Sequence, residues 1–138
     1  MLPSASRPHA SPGHLHTQKW RGRIGMSLVA MLSVLAGGHE IVRLFFYQDG
    51  VYNASASVVT PQDDLDVPKQ WRAFVSEHQL DGVVCIAAAL RRGVLNEEEA
   101  KRYQREAVAV GAPWELSGLG QLHDAVQDAD RLICFGGA

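Results

Sequence analysis

Two cysteines are the side chains of this sequence best suited to covalent chemistry. Cys85 lies in the apolar run GVVCI (82–86), and Cys134 lies in RLICF (131–135). Neither forms a CxxC pair or lies near histidines at the spacing of metal ligands, so no metal site is expected. Cysteines in such apolar runs are usually small buried hydrophobes, and their scarcity favours a reducing, cytoplasmic compartment.

Cys85 stands where an apolar strand is followed by the Ala-rich stretch IAAALRRG (86–93), which predicts a helix. The positive end of a helix favours a thiolate, and Arg91 and Arg92 would add positive potential. We therefore expect Cys85 to be partly exposed, with Arg91 at the rim of its site. Spacing alone leaves an inert core cysteine as the alternative. No helix follows Cys134, which predicts a packed core thiol.

Two further segments are candidates for the same site. Tyr52 and Asn53 follow the strand-like run at 40–47, so they are expected on the rim that carries Cys85, with a plain turn around Asp49 as the alternative. The stretch SGLG (117–120) could hold an anion at a helix start, but without a full phosphate-binding motif a helix cap is favoured.

Strand and helix patterns alternate from residue 39 onward. Strands are predicted near 40–47, 82–86 and 131–135, and helices near 26–37, 66–79, 97–110 and 118–128. This alternation is typical of an α/β fold, a three-layer parallel sheet flanked by helices. In such sheets ligands bind beyond the carboxyl ends of the strands, which is where Cys85 is expected.

The chain divides by composition at about residue 25. Residues 1–25 include SASRPHASPGHLH (4–16) and show no apolar period, which predicts a disordered or atypical tail. Residues 26–138 are predicted to form one α/β domain. The apolar run 24–36 is shorter than the roughly 20 residues that span a membrane, so a buried helix is favoured over a signal-peptide segment.

The overall composition restricts the function classes. The 138 residues are 46% hydrophobic and 20% charged, with a net charge of −2, which is ordinary for a globular domain. Proteins that neutralise many phosphates carry a basic excess, so direct nucleic-acid binding is not expected. A membrane role is not expected either.

Three segments carry a family resemblance that covers about residues 30–135. They are GHEIVRLFFYQDGVYNA (38–54), VCIAAALRRGVLNEEEAKR (84–102) and LSGLGQL (116–122). In this order they closely resemble the TusD/DsrE family of sulfurtransferase subunits, which have a DsrE/F-like α/β fold. Members of the family begin with a strand and a Gly/Pro-containing loop, and residues 1–23 have neither. The first strand is therefore expected to be missing or replaced, as a shifted reading frame, a different start site or a truncation would produce.

The resemblance implies a role in a sulfur relay. Cys85 would be the catalytic residue, taking persulfide sulfur from a TusA-like donor and passing it to a TusE-like or DsrC-like acceptor for 2-thiolation of the tRNA wobble uridine. The covalent cysteine persulfide would need no cofactor. Two related small subunits would complete a heterohexamer. The alternatives are a DsrE-type subunit of dissimilatory sulfur oxidation and a non-catalytic structural subunit of a similar hexamer.

Overall fold

A five-stranded sheet with helices packed against it forms the protein. The computed structural model describes residues 2–5 and 20–136. The strands are β1 (Leu2–Ala5), β2 (Ile41–Phe46), β3 (Gly82–Cys85), β4 (Trp114–Ser117) and β5 (Arg131–Leu132). The α-helices are α1 (Trp20–Ala36), α2 (Val67–Glu77), α3 (Ile86–Arg91), α4 (Glu97–Arg102) and α5 (Leu119–Asp128), and a 3₁₀ helix covers Gln48–Ala54.

The strand order is β4-β3-β2-β1-β5. β2, β3 and β4 are parallel to one another, and β1 runs antiparallel to both of its neighbours, β2 and β5. β5 therefore points in the same direction as the three parallel strands. The predicted fold class, a parallel α/β sheet flanked by helices, is confirmed. Because β2, β3 and β4 are parallel, their carboxyl ends meet at one edge of the sheet.

The N-terminal segment, predicted over residues 1–25 as a disordered or atypical tail, contains a short strand and the start of a helix. Leu2–Ala5 is a strand between β2 and β5, and α1 begins at Trp20. Residues 6–19 lie outside the described part of the chain, and the boundary at residue 25 stays a prediction. An unpaired edge of β2 would leave backbone N–H and C=O groups without partners, which pairing with β1 removes. Composition could not indicate this strand, because backbone pairing does not require a period in the side chains.

The core is centred on β3 and an aromatic cluster beside it. All four residues of β3 are buried, as predicted for an interior strand. The ring of Phe46 packs edge-on against those of Trp71 and Trp114, with centroids 5.4 and 4.9 Å away. Gly82 is required by this packing, because a Cβ there would lie 2.8 Å from the Trp114 ring. The amino end of β3 is thus held close to β4.

Two helix starts are confirmed together with their caps. Asp66 Oδ1 accepts a hydrogen bond from the Lys69 amide (3.1 Å) at the start of α2. Asn96 Oδ1 accepts one from the Glu99 amide (2.9 Å) at the start of α4. α1 ends at Ala36, and the turn after it includes Gly38, whose φ of +80° suits glycine. None of the helices in the described ranges is long and apolar enough to cross a membrane.

The helix predicted over 97–110 is wrong beyond residue 102. Gln104 has a φ of +54°, a left-handed conformation that ends α4. The Ala109 amide then donates to the Leu95 carbonyl oxygen (2.8 Å), so the following residues form a loop held by long-range bonds. Tyr103, which directly follows α4, is 49% exposed and does not continue a buried helix face. Local spacing therefore suggested a helix, and tertiary hydrogen bonds decided against it.

The last strands also differ from the prediction. The pattern contains no clear signal for β4, because a four-residue strand is too short for alternation to be recognised. Ser117 belongs to this strand, and Gly118 is the N-cap of α5. β5 covers only Arg131–Leu132 of the predicted 131–135, and both of its residues are exposed. Cys134 therefore lies outside the sheet.

Candidate active site

Cys85 is the last residue of β3 and the N-cap of α3. It lies at the carboxyl edge of the parallel strands, as expected from the strand-to-helix transition in the sequence. β3 is flanked by β2 and β4, so Cys85 has a neighbouring strand end on each side. Its backbone (φ −59°, ψ 114°) is extended, which turns the chain from the strand into the helix.

The exposure of the two cysteines is the reverse of the prediction. Cys85 is buried, with 7% of its surface exposed, whereas Cys134 is exposed. Cys85 belongs to the hydrophobic core because the segments that follow β2 and β3 pack around it. Cys134 is exposed because β5 ends two residues earlier and does not include it. An apolar run in the sequence does not reveal whether its strand lies inside the sheet or at its border.

Tyr52 and Asn53 lie in the 3₁₀ helix that follows β2, at the same sheet edge as Cys85. Tyr52 is 42% exposed. Asn53 is buried, and its Nδ2 donates a hydrogen bond to the Gly50 carbonyl oxygen (2.9 Å). The two expected rim residues thus have different settings. Asn53 stabilises the turn from within, and only Tyr52 presents its side chain to solvent.

The two arginines after Cys85, Arg91 and Arg92, lie in different environments. Arg91 is exposed in the last turn of α3, about 7.5 Å along the helix axis from Ile86. Arg92 Nε lies 2.9 Å from Asp49 Oδ1, an ion pair that joins the end of α3 to the 3₁₀ helix. Arg92 also donates to the Ala88 carbonyl oxygen (3.1 Å). The charge of Arg92 is therefore paired with Asp49, and the position of Arg91 at the rim of the site stays a prediction.

Ser117 is a site residue that sequence reasoning missed. It is the Cα partner of Cys85 in the parallel pairing of β3 with β4. Neighbouring strands lie about 4.8 Å apart, so a half-buried hydroxyl group is next to the thiol-bearing residue. The sequence suggested a helix cap or anion cradle at 117–120. The register between β3 and β4, which no local pattern contains, places Ser117 beside Cys85 instead.

An open cleft of about 850 Å³ lies beyond α3. It is lined by Leu90 and Arg91 of that helix and by Tyr103, Arg105 and Glu106 of the loop after α4.

In the ranges that the structure covers, no three His, Cys, Asp or Glu side chains gather as a potential metal site. Thiol chemistry is what the residues at the carboxyl edge can perform, since a cysteine needs only a second thiol or persulfide to exchange sulfur.

Comparison with known proteins identifies the family. A sequence model of the DsrE/DsrF-like family matches residues 16–135, which includes β2, β3, β4 and Cys85. The chain belongs to the DsrE/DsrF-like family. The resemblance noted in the sequence is thereby confirmed.

Several curated relatives show which branch of this family is similar. The chain is 70% identical to a sulfurtransferase TusD homolog of Pseudomonas aeruginosa over 105 residues, covering 76% of this chain and 80% of that one. It is 45% identical to a putative sulfurtransferase DsrE of Allochromatium vinosum, over 75% and 80% of the two chains. It is 42% identical to sulfurtransferase TusD of Proteus mirabilis, over 75% and 79%. The expected enzyme class, a sulfurtransferase, is confirmed by these relatives.

Proposed function

We propose that this protein carries sulfur as a persulfide on Cys85 within a protein relay that serves tRNA thiolation. The observation that carries the proposal is the position of Cys85. It is the thiol at the carboxyl edge of the parallel sheet, in a chain 70% identical to a sulfurtransferase TusD homolog. The other cysteine, Cys134, is exposed and lies beyond the two-residue strand β5, outside the sheet.

The chemistry is a balanced exchange between sulfur atoms. The Cys85 thiolate attacks the outer sulfur of a donor persulfide, and the S–S bond of the donor breaks as the new S–S bond forms. The donor leaves as a thiolate, and Cys85 now bears the persulfide. An acceptor thiolate then attacks that outer sulfur and releases Cys85 as a thiolate. Oxidation states balance over the two steps, so the proposal includes no external oxidant, metal or organic cofactor.

The second thiol of each exchange comes from a partner protein in this proposal. Cys85 ends β3 and Cys134 follows β5, strands that point the same way but are separated in the sheet by β2 and β1, which places β3 and β5 about 14 Å apart. The proposed donor is a TusA-like protein and the proposed acceptor a TusE-like or DsrC-like protein, in the cytoplasm. Two related small subunits would complete a heterohexamer. With a net charge of −2, this chain is not proposed to bind the tRNA itself.

Two alternatives each have an observation in their favour. The 45% identity to a putative sulfurtransferase DsrE favours a subunit of dissimilatory sulfur oxidation. The burial of Cys85 favours a structural subunit whose thiol is only part of the core. In the first alternative Cys85 chemistry is retained and the final sulfur acceptor changes. In the second there is no transfer.

Peptide mapping tests the proposal directly. The purified chain is mixed with a persulfide-loaded TusA-like protein, digested without reductant and analysed by mass spectrometry. The peptide that contains Cys85 should gain the mass of one sulfur atom, and reductant or a TusE-like acceptor should remove it. Sulfur on the Cys134 peptide, or on neither peptide when the two sister subunits are present, would contradict the proposal.

A genetic experiment separates the two branches. Deletion of the gene should remove 2-thiouridine from hydrolysed tRNA, as measured by nucleoside mass spectrometry. Re-expression of the unaltered chain should restore it, and re-expression of Cys85→Ser should not. Normal 2-thiouridine in the deletion strain together with loss of sulfur oxidation would move the protein to the DsrE branch.

A further inference from the structure

The burial of Cys85 conflicts with the chemistry assigned to it. Only 7% of this residue is exposed, and sulfur exchange requires an incoming sulfur atom to approach the thiolate along the S–S axis. With so little of the residue exposed, a second protein has little direct access to it unless a neighbouring segment moves. Opening of the carboxyl edge of β3 would provide that access.

The 3₁₀ helix Gln48–Ala54 is the segment placed to cover this edge. It follows β2 directly and packs against both β3 and α3, the two elements that meet at Cys85. Val51 and Ala54 are fully buried in the same hydrophobic cluster as Cys85. Moving this helix away would expose Val51 together with the thiol, so the closed state is favoured until a partner covers that apolar surface.

Three features make this segment easier to move than its surroundings. Runs of 3₁₀ helix beyond three or four residues are uncommon because their hydrogen bonds are poorly aligned, and this one has seven residues. Gln48, at its start, has a φ of +50°, a strained conformation for a residue with a Cβ. Tyr47, at the N-cap position, makes no side-chain capping bond. Strain and weak capping place this helix among the segments that open locally at low cost.

The ion pair between Asp49 and Arg92 joins this helix to α3. Arg92 Nε lies 2.9 Å from Asp49 Oδ1, and the side chain of Asp49 is 88% exposed. Arg92 is additionally held by the Ala88 carbonyl oxygen (3.1 Å), so it is the fixed member of the pair. An exposed ion pair contributes little stability, which suits a contact that must break in every cycle.

We infer that the 3₁₀ helix is a movable cover over Cys85 and that the Asp49–Arg92 ion pair holds it closed. This inference rests on the proposed role of Cys85. Asp49 and Arg92 act as positioning residues, since they control access to the thiol and do not touch the transferred sulfur. Docking of a sulfur partner opens the cover by providing an apolar surface for Val51.

Alkylation of the full-length chain by iodoacetamide tests the inference, with Cys134 as an internal control. Asp49→Asn removes the charge and retains the shape of the side chain. Glu98→Gln is the matched control, because it removes a similarly exposed ion pair, with Arg102, on α4. The alkylation rate of each cysteine is measured by mass spectrometry at increasing pH. The measurement continues until the rate no longer rises, because the thiol is then fully ionised. Altered ionisation is then not mistaken for altered access.

Asp49→Asn should raise the plateau rate at Cys85 by about two- to five-fold, the range expected from loss of an exposed ion pair. The rate at Cys134 should not change, and Glu98→Gln should match the unaltered chain at both cysteines. High ionic strength should raise the Cys85 rate in the unaltered chain, because screening weakens the pair, and should have no effect in Asp49→Asn. Hydrogen exchange at the Ser55 amide, which bonds the Tyr52 carbonyl oxygen (3.1 Å), should accelerate in the same variant.

Three results would overturn the inference. They are an unchanged Cys85 rate in Asp49→Asn, an equal rise at Cys134, and an equal rise in Glu98→Gln. A circular dichroism spectrum of each variant verifies that it is folded. Failure of the proposed function is a separate result, because alkylation measures access to Cys85 whether or not the residue accepts sulfur. If Asp49→Asn is alkylated faster but no sulfur is transferred to Cys85, the result would support the movable cover and contradict the proposed role in sulfur transfer.

Discussion

The two cysteine regions lie in similar sequences and have opposite structural settings. GVVCI and RLICF are both short apolar runs. The first is an interior strand in which every residue of Gly82–Cys85 is buried, and it leads directly into α3. The second forms only a two-residue strand at the border of the sheet, and Cys134 follows it in exposed chain. Position in the sheet, not local hydrophobicity, separates the two thiols.

This difference shows how exposure and function can be opposed in a thiol protein. The exposed thiol, Cys134, follows a two-residue strand at the border of the sheet. The buried one, Cys85, is surrounded by the ends of two strands, the 3₁₀ helix and α3. In the proposed relay, burial would protect a persulfide on Cys85 from water and from unwanted thiols, and docking of the correct partner would control access to it. The comparison therefore predicts that the less accessible cysteine is the active one.

The largest expected effect comes from removing each thiol in turn. Cys85→Ser should abolish uptake of ³⁵S-labelled sulfur from a TusA-like donor, because serine cannot form a persulfide. Cys134→Ser should retain full transfer, and since this residue is exposed, the substitution should hardly change the free energy of unfolding. Label that persists in Cys85→Ser, or that disappears in Cys134→Ser, would contradict the proposal that Cys85 is the residue that accepts sulfur.

The intrinsic reactivity of the two thiols should differ in the direction opposite to function. In the isolated native chain Cys134 should react with a disulfide reagent roughly tenfold or more faster than Cys85, because Cys85 reacts only when local opening exposes it. Stopped-flow absorbance should show two phases, and Cys134→Ser should lack the fast one. In denaturant the two phases should merge. A fast Cys85 phase in the native chain would mean that the carboxyl edge is open.

Two glycine substitutions test whether the Cys85 region depends more strongly on packing. In Gly82→Ala the new Cβ would lie 2.8 Å from the Trp114 ring, so β3 should be destabilised by about 1 to 3 kcal/mol. Gly120→Ala, in the helix that leads toward Cys134, adds a Cβ in open space and should stabilise by at most about 1 kcal/mol. Urea unfolding measures both changes. Equal effects would show that the two regions do not differ in packing.

The smallest expected effect concerns Ser117, the cross-strand neighbour of Cys85. A hydroxyl group that stabilises the thiolate by one ordinary hydrogen bond contributes about 0.5 to 1.5 kcal/mol, so Ser117→Ala should slow sulfur transfer about two- to ten-fold. Ser117→Thr retains the hydroxyl group and should transfer at nearly the original rate. Equal slowing in both variants would indicate a packing role, and no change in Ser117→Ala would remove this residue from the site.

Local sequence signals predicted the elements that position the site. The apolar run before Cys85 predicted β3, the Ala-rich stretch after it predicted α3, and the helical patterns beginning near 66 and 97 predicted the starts of α2 and α4. Each of these signals lies within a few residues of the feature it predicts. Placement of Cys85 at the carboxyl edge follows from them, because parallel strands joined through helices share that edge.

Contacts between distant residues decided what those signals could not. The loop after α4 depends on hydrogen bonds from Ala109 to Leu95 and from Ala56 to Ala109, which no local period contains. The proximity of Ser117 to Cys85 depends on the β3–β4 register, and the pairing of Asp49 with Arg92 depends on how the 3₁₀ helix packs on α3. All of these contacts join residues far apart in the chain.

The sequence by itself determined the α/β class and the family, and it singled out Cys85 as the proposed active residue, because hydrophobic period, capping and sequence motifs are local properties. Only the tertiary structure decided that Cys85 is buried and Cys134 exposed. Burial is a property of what packs around a residue, and for Cys85 the packing comes from a helix more than thirty positions earlier in the chain. The covering segment and its ion pair exist only once that packing has formed, which is why access to the thiol could be deduced from the folded chain alone.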